Sequence, residues 1–355
     1  MFVRSLSFGA AVAAFVLLPL ACGSFNADSG PATGSAEGGA GEGGTEGGTG
    51  GEGGAGADGQ ASEGSTSSAP FVLGTGYKDL RAITATETDV FFVDQAGGGG
   101  VFTVPIIGGK IRVLATGGAP SSVAVDGDYV YWTDPPSRTI ARIDIAGLGP
   151  RTMSSPEPGT GFTPSIVVGA TGAVVTLIGS NSNTGEIRQY GVDLVAPLTS
   201  SPNLTNPFSL TAFGTSLYWT EGGAGYVVSG MVGMPTGKQL YPEGDPEAIT
   251  ADAAGVYWTI PSQGTIRGSL GGAVPITLAT GESVPRSIAA DGTYVYWTTS
   301  NNELRRAGHL DGGMSSLFAS GFMALTEMHV RAVAVTSKYV VWLTADGKVL
   351  RADSH

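Results

Sequence analysis

Few side chains in this chain of 355 residues carry reactive chemistry. Its single cysteine, Cys22, excludes a disulfide framework, a Cys-rich zinc site and a CxxC redox pair. Of three histidines, His355 is terminal and His309 lies near a turn, which leaves His329 as the only histidine on a candidate rim. No Gly-x-Ser-x-Gly elbow and no Ser-His-Asp set can be assembled, so nucleophilic catalysis is poorly supplied. Asn181, Asn183, Asn301, Asn302, Glu243 and Asp245 offer the oxygen ligands that calcium takes, but without a spaced set of carboxylates. No other cofactor is suggested. The richest polar set is Arg81, Phe208, Glu247, Arg286, Arg331 and His329. Guanidinium, carboxylate and aromatic groups together can hold an anionic or sugar-like ligand; the same residues also suit a solvated rim of ion pairs.

The chain carries 18 Lys plus Arg against 30 Asp plus Glu, a formal charge of -12, so it lacks a basic footprint for nucleic acid. Residues 1–21 have one positive charge, Arg4, then an apolar run and small residues, the pattern of a secretory signal. Cys22 closes Leu18-Pro19-Leu20-Ala21-Cys22, which resembles the cleavage box of bacterial lipoproteins. That resemblance implies that Cys22 becomes the first mature residue and is acylated on its sulfur and amino end. Two or more acyl chains anchor a protein stably where one is marginal. Gly23 lacks the Asp-type inner-membrane retention cue, so the resemblance favours the outer membrane or cell surface; without lipidation the chain would be secreted. From Gly23 to Ala69, 17 of 47 residues are Gly, seven are acidic and none is Lys or Arg. Such a stretch cannot bury enough apolar surface to order itself and reads as a disordered tether with a reach of about 40 Å. With tether and signal set aside, residues 70–355 carry only -6.

What positions the candidate residues is a repeat. Tyr131-Trp132-Thr133, Tyr218-Trp219-Thr220, Tyr257-Trp258-Thr259 and Tyr296-Trp297-Thr298 recur, with Phe92, Val175 and Trp342 as variants of the Trp position. Nine residues before each stands an aliphatic: Ile83, Val123, Ile166, Leu210, Ile249, Ile288 and Val333. Between the two markers lie turn residues, clearest in Asp126-Gly127 and Asp291-Gly292, and Asp-Gly between alternating apolar residues signals a hairpin. Each unit reads as four strands in roughly 41 residues, one blade of a propeller. The third strands carry Arg142, Arg188, Arg267, Arg305 and Arg351, expected to pair with Asp94, Asp134 and Glu221 or to stack on aromatics. The expectation is an all-β, seven-bladed β-propeller over residues 70–355, with six blades the lesser alternative. The last blade has room for three strands, and Phe71–Gly76 resembles a fourth, so the N-terminal strand should complete it.

These segments resemble the Tyr-Trp-Thr-Asp class of β-propeller repeats known from low-density-lipoprotein receptors, and the wider six- to eight-bladed families of bacterial secreted proteins. The resemblance implies a binding platform whose ligand sits on one rim. Arg81, Phe208, Glu247, Arg286 and Arg331 stand just before innermost strands and should ring a channel mouth. His329 belongs to one of three long loops on that side, Ser154–Pro164, Ser200–Pro207 and Ser320–His329. The leading reading is a lipid-anchored, non-enzymatic propeller that binds a protein, peptide or glycan. A hydrolase, lyase or lactonase with a site at the axial mouth, and a structural envelope component, are the alternatives.

Overall fold

A computed structural model describes residues 69–149, 151–154, 165–169, 172, 174–179, 184–194, 197–310, 312, 314–325 and 332–355. Residues 63–355 form one compact unit. Its strands begin with β1 (Phe71–Thr75). Then come β2 (Leu80–Ala85), β3 (Asp89–Asp94), β4 (Gly100–Pro105) and β5 (Arg112–Thr116), followed by β6 (Ser122–Val125), β7 (Tyr129–Asp134), β8 (Thr139–Asp144) and β9 (Thr152–Met153). The third group is β10 (Ser165–Val168), β11 (Val174–Gly179), β12 (Thr184–Tyr190) and β13 (Pro197–Thr205); the fourth is β14 (Pro207–Phe213), β15 (Ser216–Glu221), β16 (Tyr226–Met231) and β17 (Met234–Pro242). The fifth is β18 (Ile249–Ala251), β19 (Gly255–Ile260), β20 (Thr265–Leu270) and β21 (Ile276–Ala279); the sixth is β22 (Ile288–Ala290), β23 (Tyr294–Thr299), β24 (Glu303–Gly308) and β25 (Ser316–Ala319). The chain ends with β26 (Val333–Val335), β27 (Tyr339–Leu343) and β28 (Lys348–Asp353).

Six sheets are four-stranded meanders in chain order, and a seventh has the order β1-β28-β27-β26. In that sheet β1 lies antiparallel to β28, with Phe71 opposite Arg351 and Thr75 opposite Lys348. The first strands of successive sheets neighbour one another, β2 to β6, β10, β14, β18, β22 and β26, and β26 returns to β2. This is an all-β β-propeller with four-stranded blades. Antiparallel order gives it two faces. Turns between first and second and between third and fourth strands lie on one, the hairpin face; the remaining connections lie on the other, the loop face.

The hairpins form where the sequence places an acceptor side chain. Asp126 Oδ1 accepts the amides of Asp128 and Tyr129, and Oδ2 accepts the Tyr131 hydroxyl at 2.9 Å. Asp291 repeats this with Thr293, Tyr294 and Tyr296. A short side-chain acceptor that satisfies two turn amides favours the turn over continued strand. The same aspartate then fixes the first aromatic of the Tyr-Trp pair.

Side-chain alternation sends Tyr and Trp to opposite faces of their strand. Trp132 packs with Ala82, Phe91 and Leu114 of the preceding sheet, whereas Tyr131 packs with Ile166 and Tyr190 of the following one. Trp297 likewise meets Tyr257, Ile266 and Leu278, and Trp342 meets Tyr296 and Leu304. All five Trp side chains are buried. The cluster of Ile83 and Phe92 with Val341, Leu343 and Leu73 joins the two ends of the chain. No blade holds its own core, because both of its faces are buried by neighbours.

Two expectations need correction. The marker spacing breaks in the third sheet, where Ile166 lies opposite Thr176 rather than Val175; in the other six the aliphatic faces the marked aromatic. One extra residue in the β10–β11 connection moves the register by one. The Ser200–Pro207 segment is not a long loop. β13 runs to Thr205 and β14 starts at Pro207, with Asn206 at φ 49° making the corner. Asn tolerates that left-handed conformation better than most residues.

Candidate functional site

On the loop face the structure pairs charges that the sequence placed at a rim. Glu247 and Arg286, which precede β18 and β22, form an ion pair between neighbouring blades. Arg81 bonds Asp79 at 2.8 Å. The Phe208 ring lies against Gly222. Ser121 Oγ meets Thr133 Oγ1 at 3.1 Å. His329 and Arg331 lie outside the described residues, as do Cys22, Asn181, Asn183 and the segment 155–164.

Of the two roles expected of the third-strand arginines, stacking on aromatics is taken by Arg142 and Arg351, while Asp94, Asp134 and Glu221 have other partners. Those acids are occupied by the backbone of the preceding loop. Asp94 accepts the Asp79 amide at 2.8 Å, Asp134 that of Ala119 at 3.2 Å, and Glu221 accepts the Thr205 amide and the Trp219 indole. The arginines divide by register instead. Arg142 lies opposite Tyr131 and stacks over Tyr129 at 4.1 Å; Arg351 stacks over Tyr339 and Phe71. Arg188, Arg267 and Arg305 lie opposite Thr176, Trp258 and Trp297 and pair with Glu186, Glu243 and Glu282. Glu282 also accepts the Trp297 indole N–H at 3.0 Å and the Ser315 hydroxyl at 2.6 Å. Burial pushes the Glu243 and Glu186 carboxyls up, and for Glu243 the nearby Arg267 pulls the other way.

Sequence reasoning missed two arrangements. Ser122 Oγ accepts the Ile166 amide of the next blade, and Ser287 Oγ accepts those of Ala332 and Val333. The small residue before each aliphatic is therefore a clasp in these blades, signalled by Ser in place of Ala. On the hairpin face His309 stacks on Tyr257 with its Nε2 3.2 Å from Asp252 Oδ2. Burial would raise the Asp252 pKa, but His309 and the amides of Ala254 and Gly255 hold it below the ordinary value. Burial and the adjacent aspartates push the phenols of Tyr131, Tyr257 and Tyr296 far up, so they stay neutral. Of the proposed oxygen donors, Asn302 Oδ1 accepts the Ala324 amide, and Glu243 faces Arg267. Among the described residues no group of three or more His, Cys, Asp or Glu side chains is placed to hold a metal.

Among the described residues, one concave feature lies on the hairpin face, opposite the expected rim. A cleft of about 390 Å³ is lined by Val125, Val168, Ala212 and Phe213, by Gly169, Gly172 and Gly214, and by Asp126. Three sheets contribute, each through the residue two positions after its marker aliphatic. The other four sheets hold Ala85, Ala251, Ala290 and Val335 there, all half-buried. Asp126 spends both oxygens on its own hairpin and Tyr131. The arrangement suits an apolar group, with glycines letting it approach the backbone.

No protein-family model matches the chain, and no curated protein matches it. Solved structures do. A catalytically inactive virginiamycin B lyase from Staphylococcus aureus, solved with quinupristin, has a TM-score of 0.62 at 14% identity over 81% of this chain and 98% of its own. The WD40 β-propeller domain of Doa1 gives 0.62 at 13% over 81% and 98%. U3-55K gives 0.64 at 12% over 80% and 98%. At such identities the likeness establishes the fold. It spans an enzyme and a WD40 propeller, so it assigns no activity.

Proposed function

We propose that the chain is an exported lipoprotein of the cell envelope whose propeller is a non-enzymatic platform for a protein, peptide or glycan. In this reading each of the seven sheets is one blade, β1 latches the ring to β28, and Cys22 supplies the lipid anchor. The observation that carries the binding role is the cleft on the hairpin face: Val125, Val168, Ala212 and Phe213 supply apolar side chains beside glycine backbone, and its one carboxylate is committed to the scaffold. Pre-paired rim charges such as Glu247 with Arg286 support the same view, because an ion pair already made has less to offer a ligand. The YWTD-like repeats are the architecture of the platform, not its binding groups.

Two experiments test this. Peptides selected from a displayed library against residues 63–355 should lose at least tenfold in affinity to Ala212→Trp, which fills the cleft, while the melting curve stays unchanged. Selected peptides that bind the variant equally well would reject the cleft as the site. In a bacterial host, labelled palmitate should be incorporated into the full chain and lost in Cys22→Ser; a labelled variant would reject the lipoprotein reading.

A further inference from the structure

We infer that the hairpin face docks on a lipid bilayer; its orientation rests on the proposed anchor at Cys22. Six blades expose a large apolar side chain at the turn between their third and fourth strands: Ile107, Leu148, Val192, Met234, Val274 and Leu310, between 45% and 89% exposed. The seventh presents Phe71, 46% exposed, where β1 takes the place of a fourth strand. Scattered exposed apolar residues are ordinary, but one at the same turn in sheet after sheet, all on one face, is a repeat that the scaffold's own core does not require. On the loop face, the large apolar residues exposed among the described ones are Val284 and Met323.

The turns hold these side chains out. The Leu148 amide bonds Asp144 Oδ1, the carbonyl of Ala273 next to Val274 accepts the Tyr241 and Ser269 hydroxyls, and the Gly233 amide beside Met234 bonds Gln189. The chain itself points to the occupant. Phe71 lies against Gly108, the neighbour of Ile107, so the first described residues, Ala69 and Pro70, stand on this face. Read from its composition as a coil, the stretch of 48 residues from Cys22 to Ala69 would reach about 40 Å. An acylated Cys22 would hold the crown of tips within that distance of the lipid, and buried apolar area then sets the strength of contact. Glu87, Asp128, Asp144 and Asp193 share the face with Lys110 and Lys338, so uncharged headgroups fit it better than anionic ones.

The test uses residues 63–355, the unit that holds all seven sheets and lacks Cys22, so lipidation plays no part in the readout. The protein should float with phosphatidylcholine vesicles, less so when phosphatidylglycerol is added at low salt. Leu148→Ser, Val274→Ser and Leu310→Ser combined should cut the vesicle-bound fraction by about tenfold, and Met323→Ser should leave it unchanged. A polarity-sensitive dye on Leu148→Cys should shift to the blue with vesicles, and the same dye on Met323→Cys should not; this readout holds even if the triple variant folds poorly. No flotation, or an equal shift at both positions, would overturn the inference. So would loss of an apolar-tip dimer in the triple variant, by sedimentation, without vesicle binding, which would assign the face to a second copy. Peptide capture by the cleft is scored separately, with Ala212→Trp and without vesicles, because a hairpin face laid on lipid closes the cleft to peptide; added vesicles should therefore compete with the peptide.

Discussion

Asp291 closes its hairpin through two amides and holds the Tyr296 hydroxyl, so one side chain ties a turn to the interface between two blades. Asp291→Ala should lower the unfolding free energy by about 1–3 kcal/mol in urea titrations, the cost of leaving such groups unsatisfied. Glu282 is more heavily committed, to Trp297, Arg305 and Ser315; removing it leaves the buried Trp297 indole N–H without its acceptor, while Arg305 keeps Glu303 and Ser315. Glu282→Ala should cost about 1–3 kcal/mol by the same measurement. Asp252 adds a dependence on pH. Its pKa is lower folded than unfolded, so its contribution is complete above the ordinary value of 3.8 and disappears as the pH falls through the depressed one. Urea midpoints measured from pH 6 to 2 should therefore fall less steeply in Asp252→Asn than in the parent. The hairpin aspartates were legible in sequence because their partners sit two and three residues away. Glu243 and Glu282 were not, since their partners lie on other strands and are brought near only by the path of the preceding loop.

At the scale of the strand, the aromatic markers gave both the register and the direction of each face, because a period of two leaves no freedom once Tyr and Trp are both buried. The third sheet escaped this logic. It has no Trp, and a one-residue change in a turn has no local signature when the flanking positions are Val-Val-Thr. The arginine series misled for a related reason: positions that look equivalent by eye alternate between two faces, and only pairing separates Arg142 and Arg351 from Arg267 and Arg305. A glycine within a strand has no local sequence signal of its role, yet Gly237 in β17 leaves room for an aromatic. A Cβ there would stand 2.5 Å from the Trp219 ring. Gly237→Ala should destabilise the protein by about 1–3 kcal/mol, an overpacking cost measurable by thermal melts. Gly271 is a useful contrast, because its surroundings are open and only its positive φ resists substitution.

Across the whole molecule, the repeat made the number and size of the strand groups legible before any coordinates. The cleft was not, because small residues such as Val125, Val168 and Ala212 carry no chemistry that draws attention, and their convergence depends on three separate blades. The charged residues that the sequence singled out draw more attention, and of these Arg81, Glu247 and Arg286 are already paired with other side chains. Deleting residues 70–76 should lower the melting temperature sharply, since it removes β1 from beside β28 and uncovers the cluster that joins Leu73 to Ile83, Phe92 and Leu343. An unchanged melt would show that the ring does not depend on this strand.

The same pairing sets a condition on the order of folding. Phe71 and its partner Arg351 are 280 residues apart, so β1 can pair with β28 only when nearly the whole segment from 71 to 353 is present. Until then β28 shows an edge of unpaired N–H and C=O groups, and a product truncated before Lys348 leaves β1 without its partner strand.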